Sequence, residues 1–133
     1  MAADDRNKVT ILKLRRQKRQ GNKTVLVTAY DYPQARIADG AGVDAILVGD
    51  SVGMTTLGYK TTIPVTMDDM IRHSSAVAKG AKKAFLIGDM PYMSYQVSNE
   101  EAVANAGRFI QAGMDCVKVE GAMTDRIKAI ADS

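Results

Sequence analysis

Three carboxylates, Asp50, Asp89 and Glu120, each lie at the end of a short apolar run, and Lys118 lies two residues before the last of them. The runs read AILVGD, AFLIGD and CVKVE. Converging carboxylates repel one another unless something positive lies between them. A hard divalent cation such as Mg²⁺ does this with oxygen ligands, keeping several waters and taking one or two carboxylates plus substrate oxygens. Lys118 adds a second positive charge, suited to neutralising part of the cluster or to holding an anionic substrate. Taken singly, a strand-end acid more simply caps a helix or faces solvent. Recurrence in three successive runs, with a lysine inside the third, favours a common site.

The elements that must bring these residues together follow from local signals. Thr10 as N-cap and Gly21 just past the end frame a short amphipathic helix with Ile11, Leu12 and Leu14 among its charges. TVLVTAY (24–30) and AILVGDS (45–51) read as buried strands, and AFLIGDM (84–90) and DCVKVEG (115–121) as a third and fourth. Between them, one helix runs from about Pro33 to Gly40 and Gly42. A second runs from the Thr66 N-cap, with Asp69 three residues on, to near Gly80. A third runs from a Ser98–Glu101 capping box to Gly113, and a last helix covers 124–131. The stretch VGMTTLGYKTTIPV (52–65) is left as a long irregular loop, which inside a compact domain implies a functional reason.

Apolar strands alternating with helices imply a parallel sheet covered by helices, an α/β architecture whose functional residues gather at the C-terminal strand ends. Those ends are Tyr30-Asp31, Gly49-Asp50-Ser51, Gly88-Asp89 and Lys118-Val119-Glu120. Period-two alternation puts Ile46, Val48 and Asp50 on one strand face, and likewise Phe85, Ile87 and Asp89, and Lys118 and Glu120. If those faces point into a barrel, three acids and a lysine meet in one small volume.

Other motifs carry less. Gly49-Asp50-Ser51-Val52-Gly53 fits the G-x-S-x-G nucleophile elbow, but that elbow needs a helix directly after the serine, where a Thr- and Gly-rich loop is expected. His73, the single histidine, reads as a helix-surface or core residue, and Cys116 as a small buried hydrophobe. The eight methionines read as core filler, with Met54 and Met90 placed to line a pocket beside the acids. Neither G-x-G-x-x-G nor a Walker A motif occurs, so nucleotide cofactors lack support.

Composition bounds the rest. The 133 residues, 46% hydrophobic and 25% charged, suit one globular domain over 1–133. No apolar run approaches the roughly 18–20 residues of a membrane span, and the charged start MAADDRNKVT argues against a signal peptide. The single cysteine excludes an intramolecular disulfide and fits a reducing, cytoplasmic location. Residues 1–23 carry eight Lys/Arg and two Asp, while 24–133 carry ten Lys/Arg against thirteen Asp/Glu, so the net +3 describes a basic leading segment. That segment has no aromatic residue, which argues for a solvated helix face over a nucleic-acid partner.

The segments TAYDYPQARIADGAGVDAILVGDSVGMTTLGYKTTIPVTMDDMIRHSSAV, IGDMPYMSY and VKVEG together closely resemble the ketopantoate hydroxymethyltransferase family. The resemblance runs from about residue 10 to the C-terminus. It implies a (β/α)₈ TIM barrel of the phosphoenolpyruvate mutase/isocitrate lyase type, of which 1–23 would be a leading helix and 24–133 the first four βα units. It implies transfer of a hydroxymethyl group from 5,10-methylenetetrahydrofolate to 3-methyl-2-oxobutanoate, giving 2-dehydropantoate on the route to pantothenate. By matching motif, Asp50 and Asp89 would hold Mg²⁺ with Glu120 nearby, Ser51 would bind the 2-oxo acid carboxylate, Lys118 would contact substrate, and Tyr30 would stand at the same rim. The metal would chelate the keto and carboxylate oxygens and stabilise the enolate that attacks the one-carbon unit.

The family's general base, a glutamate of the second barrel half, has no counterpart in these 133 residues, whereas a TIM barrel typically takes about 250. The expectation is therefore an N-terminal half, whether fragment, truncated product or engineered half-barrel, inactive alone and serving in assembly. A related Mg²⁺-dependent 2-oxo acid C–C lyase is the other enzymatic alternative. The family further implies a ring-based homo-oligomer, a decamer.

Overall fold

The computed structural model describes residues 7–133, so the charged start at 1–6 lies outside the described residues. The chain runs α1 (Ile11–Arg19), β1 (Leu26–Thr28), α2 (Tyr32–Ala41), β2 (Ala45–Val48), α3 (Val52–Thr55), α4 (Met67–Gly80), β3 (Phe85–Asp89), α5 (Asn99–Gln111), β4 (Cys116–Lys118) and α6 (Thr124–Asp132). The four strands form one parallel sheet in the order β1-β2-β3-β4.

The helix signals translate directly into caps. Thr10, Asp31, Thr66 and Ser98 each accept a hydrogen bond from the backbone N–H three residues on. Thr66 and Asp69 complete a reciprocal capping box, and the hydrogen bonds from Thr66 hold the Asp69 carboxyl below its usual range. Asp31, at a strand end, is thus a helix cap. Gly42 and Gly113 take positive φ where α2 and α5 stop, a conformation that suits glycine.

The strands read over 45–51 and 115–121 shorten to β2 and the half-buried β4, and two further expectations change. The strand read over 24–30 is three residues long and largely exposed, because β1 is an edge strand pairing only with β2 among the described residues. The loop read over 52–65 opens with a single helical turn, α3, directly after Ser51.

Core packing lies between sheet and helices. Ile46, Val48 and Leu86 point toward α4 and α5 and join Met70, Val77 and Phe109, all buried. Each such side chain contributes about 1.5–3 kcal/mol by leaving water. Gly88 lets the Phe109 ring lie on the sheet, since a Cβ there would fall 2.3 Å from Phe109 Cδ1. The opposite face carries Ala45, Phe85, Ile87 and Cys116, closed at the strand N-terminal ends by Val9 and Leu14. Lys8 ties this lead-in down, donating to the Ala84 carbonyl at 2.7 Å and to Asp115 at 2.6 Å.

Candidate functional site

The sheet register delivers the first pair. Asp89 and Lys118 are partners across β3 and β4, and Lys118 Nζ donates to Asp89 Oδ1 at 2.7 Å. The same ammonium reaches Glu120 Oε1 at 2.9 Å. Asp89 is buried, its side chain 5% exposed, whereas Glu120 is 72% exposed and Lys118 35%. Burial works to lower the Lys118 pKa, but the hydrogen bonds to Asp89 and Glu120 outweigh it and hold the ammonium above its usual range.

Asp50 joins by another route than alternation. Ile46 and Val48 face the helices, whereas Phe85, Ile87 and Asp89 face the other way, so continued alternation would send Asp50 away from Asp89. β2 stops at Val48, and the turn that follows aims the Asp50 N–H at Asp89 Oδ2, 3.2 Å away. Burial first, and then the charge of Asp89, raise the Asp50 carboxyl pKa, against Lys118 and a hydrogen bond from Thr62.

Gly49 keeps this corner open. A Cβ at Gly49 would stand 2.9 Å from Ser51 Oγ and 3.8 Å from Asp89 Oδ2. Ser51 Oγ and Tyr30 OH are 2.8 Å apart and share a hydrogen bond. The Tyr30 carbonyl accepts from His73 Nδ1 at 2.7 Å, which places a proton on that nitrogen. The helix after Ser51 removes one objection to a nucleophile elbow, but His73 serves Tyr30 and not Ser51, and Ser51 has relaxed right-handed helical dihedrals. Cys116 is no nucleophile either: burial, assisted by Asp115, pushes its thiol up to about 11.

A cleft of about 370 Å³ opens beside Asp50 and Glu120 and is lined by Met90, Tyr92 and Tyr95, so Met90 sits as expected while Met54 is exposed. Tyr95 and Thr62 escaped the sequence reading, because nothing in their local spacing marks them. A larger apolar groove of about 660 Å³ runs between α5 and α6 beside β4; it holds none of the strand-end cluster.

Among the described residues no three His, Cys, Asp or Glu side chains form a ready metal cage. The donor set nonetheless fits Mg²⁺. That ion needs only one or two carboxylates besides water and substrate oxygens, and three carboxylates against one ammonium leave a surplus of two negative charges beside the cleft.

A half-barrel sheet with polar groups at its strand C-termini defines the class, and solved structures bear this out. The chain is similar to 2,3-dimethylmalate lyase, a PEP mutase/isocitrate lyase superfamily member (TM-score 0.69, 18% identity, 91% of this chain and 46% of that one). It is also similar to phosphonopyruvate hydrolase, solved in complex with oxalate and Mg²⁺ (TM-score 0.69, 14% identity, 88% and 44%). The fold is thus that of the leading helix and first four βα units of such a TIM barrel.

Residues 8–133 match the family model for ketopantoate hydroxymethyltransferase, and the chain belongs to that family. The 3-methyl-2-oxobutanoate hydroxymethyltransferase of Thermoanaerobacter sp. (strain X514) is 50% identical over 129 residues, 95% of this chain and 47% of the relative. The chain therefore spans about half the length of the curated relatives it matches. No helix among the described residues is long and apolar enough to cross a membrane.

Proposed function

We propose that this chain supplies the metal- and 2-oxo-acid-binding half of a 3-methyl-2-oxobutanoate hydroxymethyltransferase. The reaction moves a hydroxymethyl group from 5,10-methylenetetrahydrofolate to 3-methyl-2-oxobutanoate, giving 2-dehydropantoate for pantothenate synthesis. The observation that carries the reading is the Asp89–Lys118–Glu120 cluster, with Asp50 docked on Asp89, at the strand ends of a chain in this family.

Asp50 and Asp89 would hold Mg²⁺, with Glu120 beside it. Bound there, the ion would draw electron density from the keto and carboxylate oxygens of the substrate and acidify the neighbouring C–H. Ser51, oriented by Tyr30, donates its hydroxyl to the substrate carboxylate. Lys118 offsets charge on the anionic substrate while its bond to Asp89 fixes the ammonium's position. The general base stands in the other half of the barrel, together with part of the folate-facing rim. This chain alone is then a binding half without turnover, and the whole enzyme works as a cytoplasmic homo-oligomer, a decamer in the family pattern.

The test is exchange of the C3 proton of 3-methyl-2-oxobutanoate in D₂O, followed by NMR with and without Mg²⁺. A polypeptide joining this chain to the second half of a family relative should exchange the proton only with Mg²⁺. Exchange that survives Asp50→Ala and Asp89→Ala together would remove the metal assignment.

A further inference from the structure

Glu120 lies two residues past β4, beyond the last ladder bond, in which Met90 N–H donates to the Lys118 carbonyl at 2.9 Å. Its peptide groups are held instead by a side chain. The Tyr95 hydroxyl accepts from Glu120 N–H at 3.1 Å and donates to the Glu120 carbonyl at 3.3 Å. One phenol thus does for Glu120 what a neighbouring strand would do, using both its donor and its acceptor capacity.

The segment carrying Tyr95 is itself built to hold that hydroxyl in place. Ser94 N–H and Oγ both donate to the Pro91 carbonyl, at 3.1 and 2.7 Å. Asn105 of α5 donates to the Ser94 carbonyl at 2.8 Å, and Arg126 Nε of α6 donates to the Tyr95 carbonyl at 3.0 Å. Met93, two residues before Tyr95, is the one non-glycine residue at positive φ (+67°) among the described residues, a conformation that persists where the surroundings impose it. The Tyr95 ring is buried, 4% exposed, so the hydroxyl has little freedom to leave Glu120.

We propose that Tyr95 is a positioning residue, whose hydroxyl fixes the Glu120 backbone so that the carboxylate stays on Lys118 and the metal-binding acids. The inference rests on the metal-binding reading above for its consequence, but not for the contact itself. Outer groups that orient a ligand typically change metal affinity about tenfold or more when removed.

The experiment uses Tyr95→Phe, which keeps the buried ring and deletes only the hydroxyl. Hydrogen exchange of the 133-residue chain should show the Glu120 amide losing about tenfold of its protection, with the Leu86 amide in mid-sheet unchanged. Mn²⁺ titrated into the chain and read by water-proton relaxation should bind about tenfold more weakly to Y95F. Adding Y95F to E120Q should weaken binding no further, because the hydroxyl acts through Glu120. Undiminished protection at Glu120, or an equal loss of Mn²⁺ affinity in both backgrounds, overturns the proposal. If D89N leaves Mn²⁺ affinity unchanged, the metal reading is lost, and the Glu120 amide alone then decides whether Tyr95 holds that residue.

Discussion

Lys118 and Asp89 face each other across the β3–β4 ladder, and the ammonium donates to Oδ1 at 2.7 Å. Because the pair is in register, the sheet itself sets the distance. Asp89 is the buried member and the only other donor to its carboxylate described in the structure is Asp50 N–H. Lys118→Met should therefore cost about 1–3 kcal/mol, read as a lower urea midpoint at unchanged slope. Combining it with Asp89→Asn should return part of that loss.

The same pair sets an alkaline limit. Lys118 has a folded pKa above its unfolded one, so its contribution is complete below about pH 10.4 and drains away as pH rises through the higher folded value. Urea midpoints measured from pH 9 to 11.5 should fall for the wild-type chain and fall less steeply for Lys118→Met.

Asp50 gives the opposite balance at neutral pH. Burial and Asp89 raise its folded pKa, so its stabilising share is complete below about pH 3.9 and is lost as pH rises through the folded value. Without metal, Asp50→Asn should raise stability at pH 7, by less than about 1 kcal/mol for a half-buried group still partly screened by solvent. Mg²⁺ at a hundredfold excess over its dissociation constant should stabilise the wild-type chain by about 2.7 kcal/mol and leave Asp50→Asn unmoved.

Two glycines should respond differently to the same methyl group. At Gly88 the added Cβ meets the Phe109 ring at 2.3 Å, inside a packed core, and Gly88→Ala should cost about 1–3 kcal/mol or more. At Gly49 it meets the Ser51 hydroxyl, the end of a short side chain that can turn aside by giving up its bond to Tyr30. Gly49→Ala should leave the melting curve within about 1 kcal/mol of wild type while breaking the Ser51–Tyr30 bond. Weaker binding of 2-oxo acids by calorimetry, with the fold intact, is the expected signature.

Asp39, buried on α2, accepts from the backbone N–H groups of Lys82, Lys83 and Ala84 at 2.9, 3.1 and 2.7 Å. It ties the start of β3 to a helix more than forty residues earlier in the chain. Asp39→Ala leaves those donors short of an acceptor and should cost about 3 kcal/mol in urea unfolding, although the residue is far from the strand-end acids.

Asp39 also shows where sequence reading stops. Within ADGAG it looks like one more polar residue near a helix end, and its partners lie 43 to 45 positions away. The caps at Thr10, Thr66 and Ser98 were legible because a cap bonds three residues ahead, inside the window that spacing samples. The strand ends were legible for a like reason, since an apolar run stops where a polar residue begins. Asp31 was visible as a strand-end residue but not as the cap of α2, because both descriptions fit the same tetrapeptide.

By itself the sequence determined the order of strands and helices apart from the single turn α3, the parallel architecture, the family, and the identity of the polar residues at each strand end. These are properties of neighbours a few positions apart. The tertiary structure decided which of those residues meet. Alternation assigned Asp50 to a face, but β2 ends at Val48 and the turn at Gly49 resets the direction before Asp50 is reached. His73 meets Tyr30 across 43 positions and Tyr95 meets Glu120 across 25, through hydrogen bonds that exist only once α4 and the β3–α5 segment have packed on the sheet. Local spacing encodes backbone periodicity, and it carries no record of contacts made by closure of long loops.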